Sequence, residues 1–327
     1  MYFIKLILFI LISSSFTFGQ SKKIAYSSNA GTNGFLQIFM MNEDGSDKTQ
    51  LTQLSENCMK PRWSPDGKQI TFYSDKGFVY LIRDVNKPDL NYTFLVWNGY
   101  NPSFLPDGSQ IIFNSEFSDV LSVFVIDTAG QGAEAQLVTD GGYSNMQVLS
   151  KSGNKMVYST FDEGTKCIML MDFEDSTDNY IQKISLNDEA NLEPDISADE
   201  SKIAYASFDN NLRGTIRIFK NGIESALTKG LGSSNVPKFS PDGSKIAFVV
   251  IGDKSVSMYL MDDDGQNRKN LNVSGGNVGT FQWMDNERII YDAGSETKTS
   301  IGIINTETGS NEIIADLEFN LHPCYQK

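Results

Sequence analysis

The sequence predicts an all-β fold: a seven-bladed β-propeller of four-stranded blades, its ring closed by the C-terminal strand completing the N-terminal blade. Three observations carry this. A short segment of the form apolar, any, aromatic recurs seven times. Each copy sits in the same frame of turns and flanking strands. The two chain ends each hold part of the same copy.

The recurring segment is Ile24-Ala25-Tyr26, Ile70-Thr71-Phe72, Ile111-Ile112-Phe113, Met156-Val157-Tyr158, Ile203-Ala204-Tyr205, Ile246-Ala247-Phe248 and Ile289-Ile290-Tyr291. Its aromatic residues are 46, 41, 45, 47, 43 and 43 residues apart. A period of roughly 40–45 residues with four short strands in each is the signature of propeller blades. No helical 3.6-residue period accompanies it.

Upstream of each segment a short strand ends in a bulky residue and a turn, as in Pro61-Arg62-Trp63-Ser64-Pro65-Asp66-Gly67. Pro presets φ, Asp bonds the turn backbone and Gly accepts a positive φ, so this is turn chemistry. Downstream comes a third strand, such as Met258-Tyr259-Leu260-Met261-Asp262, then a second turn and a short fourth strand. A single blade cannot bury both its faces, so stacking on neighbours must supply the burial.

Closure is written in the termini. The first copy begins directly at its second strand, Lys23 to Tyr26. The last residues, His322-Pro323-Cys324-Tyr325, match Lys60-Pro61-Arg62-Trp63 with no second strand after them. The C-terminal strand therefore completes the N-terminal blade and removes a free sheet edge.

Trp63-Ser64-Pro65-Asp66-Gly67-Lys68 and Phe239-Ser240-Pro241-Asp242-Gly243-Ser244-Lys245 resemble the WD-repeat-like motif of the TolB propeller family. The resemblance covers essentially the whole chain after the leader. It departs from TolB itself, which has six blades and an added N-terminal α/β domain that this sequence has no room for. The same repeat also occurs in peptidases and pectin-degrading lyases, so the resemblance assigns a fold and not an activity.

The domain expectation is a signal peptide over residues 1–19 and the propeller over 20–327. Lys5 gives a positive start, Leu6 to Ile12 is unbroken apolar sequence, and small residues at Thr17 and Gly19 suit cleavage before Gln20. That apolar stretch is too short to span a bilayer, and no other stretch in the mature chain approaches spanning length. A periplasmic or secreted protein is expected. With a formal net charge of −14 over 327 residues, a phosphate-tracking surface is disfavoured, and no nucleic-acid partner is expected.

No cluster announces a chemistry. The Gly-x-Ser-x-Gly of a serine hydrolase is absent, and His322 is the sole histidine. One histidine excludes a multi-histidine metal site, including the histidine-rich centre of the seven-bladed oligogalacturonate lyases. His322 itself reads as a solvent-facing residue at a strand entry. Asp262-Asp263-Asp264-Gly265 is the densest acidic run, and its place in the repeat makes it a hairpin turn rather than a calcium site. No catalytic residue, metal ligand or cofactor is assigned. Cys167 reads as a buried small hydrophobe. Cys58 and Cys324 fall on neighbouring strands, which leaves a disulfide across the closure open.

One face of the propeller carries the stereotyped turns. The other carries loops of variable length before each first strand, where rigid scaffolds bind. The candidate binding residues there are Glu56, Asn57, Tyr100, Asn101, Tyr143, Asn145, Asn191, Glu193, Asn235 and Asn277. The Asn residues read equally well as turn caps. The functional expectation is a monomeric, non-enzymatic exported scaffold holding a protein or peptide partner of the cell envelope. The alternative is a carbohydrate-active enzyme, lyase or glycoside hydrolase, or a sugar-binding protein. A structural or sensory module is the third reading.

Overall fold

The computed structural model describes residues 22–327 apart from 32, 88–91, 118–119, 130–133, 140–142, 175–179 and 317–318. The expected leader, residues 1–19, lies outside the described residues. The described chain forms 28 strands, numbered here in chain order, in seven four-stranded antiparallel sheets. No helix among the described residues is long and apolar enough to cross a membrane.

The first blade has the order β28 (Asn320–Tyr325), β1 (Lys23–Ser28), β2 (Gln37–Asn42), β3 (Thr49–Gln50). The C-terminal strand thus enters the N-terminal sheet as expected, with Ile24 opposite Tyr325 and Ser28 opposite Asn320. The six other blades each run in chain order. Their first strands are β4 (Cys58–Trp63), β8 (Gly99–Phe104), β12 (Asn145–Leu149), β16 (Ala190–Ile196), β20 (Ser233–Phe239) and β24 (Asn277–Trp283). These strands, with β28, line the axis.

The core sits between blades and not within them. The aromatic residue of every repeat is buried, from Tyr26 and Phe72 through Tyr291. Seven apolar clusters fill the seven blade interfaces. One joins Ala25, Ile38 and Cys324 of the first blade to Trp63, Ile70 and Phe72 of the second. Another joins Ile290, Ile301 and Ile314 of the last blade to Ile24, Tyr26 and Met41 of the first, so the ring is apolar all round. Alternating strand faces make this unavoidable, because each blade has two apolar faces and each needs a neighbour.

Polar bonds fix the stack. Trp63 donates its indole N–H to the Cys324 carbonyl at 3.0 Å, and Trp283 does the same to the Lys238 carbonyl at 3.0 Å. Lys23 and Gln326 exchange bonds at 3.0 and 2.9 Å, which pins the chain end beside β1.

The Pro-Asp-Gly turns behave as their residues dictate. In the sixth blade the Ser240 hydroxyl donates to Asp242 at 2.6 Å and accepts the Lys245 N–H at 3.0 Å. Gly243 takes φ 70°. Ser64 and Ser197 repeat the arrangement with Asp66 and Asp199. Ser240→Ala should therefore cost about 1–2 kcal/mol, since it strands the Lys245 N–H and removes one of the donors to Asp242. A urea midpoint equal to that of the parent protein would show that the motif adds nothing.

One pairing left open by the sequence is resolved, and one expectation is corrected. All three cysteines are free thiols, with Cys58 and Cys324 buried in one apolar cluster. The Cys58 sulfur lies 3.8 Å from the Glu56 carbonyl, and burial pushes its thiol up to about 12. His322 is not a solvent-facing strand entry but the third residue of β28, half-buried at the axis. The acidic run Asp262–Gly265 is, as read, the turn between β22 (Val256–Asp262) and β23 (Lys269–Asn270). Its carboxylates are engaged there, Asp263 by Lys202 at 2.9 Å and Asp262 by Asn267 at 2.6 Å.

Candidate functional site

Every axial strand carries a bulge at the same register. The ladders slip between Met59 and Arg62, Tyr100 and Ser103, Asn145 and Val148, Leu192 and Asp195, Asn235 and Lys238, and Val278 and Phe281. β1 shows the matching slip against β28. The residue at the slip adopts a left-handed backbone: Lys60 at φ 49°, Asn101 at 50°, Met146 at 54°, Glu193 at 54°, Val236 at 53° and His322 at 54°.

The sequence marks this register. Proline follows Lys60, Asn101, Glu193, Val236 and His322. Proline bars the right-handed helical region to the residue before it and donates nothing to a ladder. It is tolerated here because the axial strands are sheet edges. In the seventh blade Gly279 takes the place, and a Cβ there would meet the Asp292 carboxylate at 2.0 Å.

Carboxylates from the ring hold the bulges. Asp292, on β25 (Arg288–Ser295), is 2% exposed. It accepts the Thr280 N–H at 3.1 Å and the His322 N–H at 2.9 Å, and also the Thr280 hydroxyl. Burial raises its carboxyl above the usual range despite these donors. Glu193 accepts the Val236 N–H at 2.9 Å, and Asp195 accepts the Phe239 N–H at 2.8 Å and the Lys238 ammonium at 3.2 Å. Burial also raises Glu193, against the pull of Lys238 and Lys60.

The cations converge on the same ring. Lys60 donates to Asn101 of the next blade at 2.9 Å. Burial, then the Arg62 charge, lowers the Lys60 ammonium, while Glu193 from three blades away raises it. Burial, then the Lys60 and Arg62 charges, depress His322 to about 4, so the imidazole is neutral near pH 7. Its Nδ1 is buried with no partner among the described residues.

The structure sorts the sequence-derived candidates into groups. Asn101 and Glu193 lie in the axial ring. Glu56 is 4% exposed, takes the Tyr80 hydroxyl at 2.5 Å and pairs with Lys76 at 3.5 Å. Asn57 bonds Leu36 N–H at 2.9 Å and Asp75 at 2.7 Å, Asn191 is fully buried against the Glu189 carbonyl at 2.6 Å, and Asn277 accepts the Val256 N–H at 2.9 Å. These four hold loops in place. Asn145 and Asn235 flank the bulges, each with a buried side-chain oxygen that has no partner among the described residues. Lys60, Arg62, His322 and Asp292 were missed, although X-Pro at one register of successive repeats was a usable signal.

The two loop aromatics differ. Tyr143 is 47% exposed and meets Phe161 edge-on at 6.4 Å. Tyr100 is half-buried, edge-on to Tyr73 at 6.0 Å. Tyr143→Ala should shift stability by less than about 0.5 kcal/mol, whereas Tyr100→Ala should cost more than that. Thermal melts of the two variants check it; equal losses would place both rings in the core.

Comparison with known proteins follows this geometry. The sequence profile described as TolB beta propeller domain matches residues 16–287. A curated relative, dipeptidyl-peptidase 5 of Porphyromonas gingivalis, is 26% identical over 307 residues, covering 84% of this chain and 42% of that protein. The chain thus spans under half the length of that relative. Among solved structures, a puromycin-hydrolyzing peptidase of Mycobacterium tuberculosis superposes with TM-score 0.68 at 13% identity, over 90% of this chain and 53% of the other. TolB from Acinetobacter baumannii superposes with TM-score 0.59 at 16% identity, over 93% and 66%. These superpositions carry the fold.

The match to a dipeptidyl-peptidase corrects the expectation of a non-enzymatic scaffold, and equally its carbohydrate-active alternative. That expectation leaned on the missing Gly-x-Ser-x-Gly. In the relative more than half the length lies outside the aligned propeller, so a motif absent from a propeller says nothing against a role in peptide hydrolysis.

Proposed function

This chain belongs to the TolB β-propeller domain family, and from that premise we propose that it is a peptidase-related propeller, serving the hydrolysis of peptides. The observation that carries the reading is the relative matched over 84% of the chain, a dipeptidyl-peptidase. The axial ring agrees with it in kind. A rigid collar of mixed charge with unpartnered buried polar atoms suits the polar backbone of an extended peptide.

In this reading the propeller receives the peptide and the bond is cut by a hydrolase unit acting with it. In this reading Tyr143, exposed ahead of β12, and the axial-strand residues Tyr100, Asn101 and Glu193 meet the entering peptide. The protein works outside the cytoplasm, its leader cut before Gln20, which N-terminal sequencing of the exported protein checks.

The test is release of chromophore from dipeptidyl substrates by the natively purified protein, alone and with whatever hydrolase co-elutes. Activity that rises and falls with the propeller is expected. Peptides left intact by the protein and by every fraction containing it would overturn the reading.

A further inference from the structure

Two cations on the axial wall have no contacting counter-charge among the described residues. Lys60 and Arg62 are both half-buried on β4, and neither makes an ion pair among the described residues. Lys60 bonds only the neutral Asn101, and Arg62 donates to the Pro61 carbonyl at 3.0 Å. This is unusual in a protein with 41 acidic and 27 basic side chains, where an anion for each cation is easily found. Half-buried charge without a partner is costly, and a ligand that supplies the partner recovers that cost.

The neighbouring groups shape what can bind. β28 lies beside β4, joined by the Trp63–Cys324 bond, and brings His322 to the same wall with its Nδ1 unpartnered. Asp292 is already filled by three donors. Lys238 is matched by Asp195. Glu193, three blades away, acts on Lys60 through its charge and is partly occupied by the Val236 N–H. The wall therefore offers a guanidinium fork and an ammonium that no carboxylate of the described residues contacts, beside an imidazole.

We propose that Lys60, Arg62 and His322 form a carboxylate-binding site on the wall of the axial channel, and that its occupant is the C-terminal carboxylate of a peptide. A planar carboxylate matches the guanidinium fork, with the ammonium and a neutral imidazole N–H completing its acceptor sites. The site lies inside a closed ring, where a chain end can enter and a carboxylate on the flank of a folded partner cannot. The proposal rests on the peptidase reading only in taking peptide as the ligand.

The single histidine makes the test direct. The imidazole resonances of the protein are followed by NMR during titration with trialanine, trialanine amide, acetate and N-acetylglutamate α-amide, whose one free carboxylate is that of the side chain. Trialanine should shift the imidazole saturably and the amide should not. Arg62→Gln should weaken trialanine at least tenfold, with Lys60→Gln as the second variant should the first fail to fold. Amide binding as tight as the acid, or both variants binding like the parent, overturns the site. Acetate or the side-chain carboxylate binding as tightly as trialanine overturns the C-terminal occupant. Carboxylate binding without any peptide hydrolysis would sink the peptidase reading alone; hydrolysis without carboxylate preference would sink this site alone.

Discussion

A chain ending at Leu317, and so lacking β28, is expected to be insoluble or to melt far below the full-length protein. Its loss leaves β1 unpaired on the axial side and removes the acceptor of the Trp63 indole. It also strips Cys324 and Tyr325 from two apolar clusters, those joining the first blade to the second and to the last. Two blade faces would then meet water, together with a free sheet edge that invites association. A globular domain holds only about 5–15 kcal/mol of net stability, so loss of a central strand is expected to exhaust it. The check is the soluble yield and melting temperature of the truncated chain. A parent-like melt would mean that β28 is an ornament and the ring is held shut elsewhere.

Acid should weaken the fold through His322, by on the order of 3 kcal/mol between pH 6.5 and 4. In the folded ring the imidazole is depressed to about 4 from an ordinary 6.5, first by burial and then by Lys60 and Arg62. Within that window the unfolded chain binds a proton at His322 and the folded chain does not. Stability from this group is thus complete above pH 6.5 and is lost as pH falls towards 4. Asp292, whose N–H donor is His322 itself, contributes with the opposite sign because burial raises its carboxyl. Glu193, also raised by burial, opposes it in the same way.

His322→Asn isolates the imidazole, since Asn tolerates the left-handed backbone and Asn101 already occupies that register at φ 50°. Urea midpoints at pH 4.5 and 7 should fall closer together in the variant than in the parent. An unchanged gap would show that His322 is not buried neutral at the axis.

Most of the architecture was legible because a propeller repeats its local code. The aromatic of each second strand, the Ser-Pro-Asp-Gly turns and the unmatched pieces at the two ends are all short-range patterns. Each means the same thing in every copy. From them the sequence by itself determined the number of blades, the four-stranded sheets and the closure by Asn320 to Tyr325. It also determined that Asp262–Gly265 is a turn.

Tertiary structure alone decided the rest. Glu56 and Asn191 look like loop residues in sequence, yet the packing of adjacent hairpins buries them. Cys58 and Cys324 share a cluster as thiols, which depends on side-chain direction that strand adjacency does not specify. Lys60, Glu193 and His322 look interchangeable along the chain because they share only a backbone state ahead of proline. They are far apart in sequence and become one site solely because seven strands converge on one axis. Their charges then act on each other through a partly desolvated space where Coulomb forces are weakly screened.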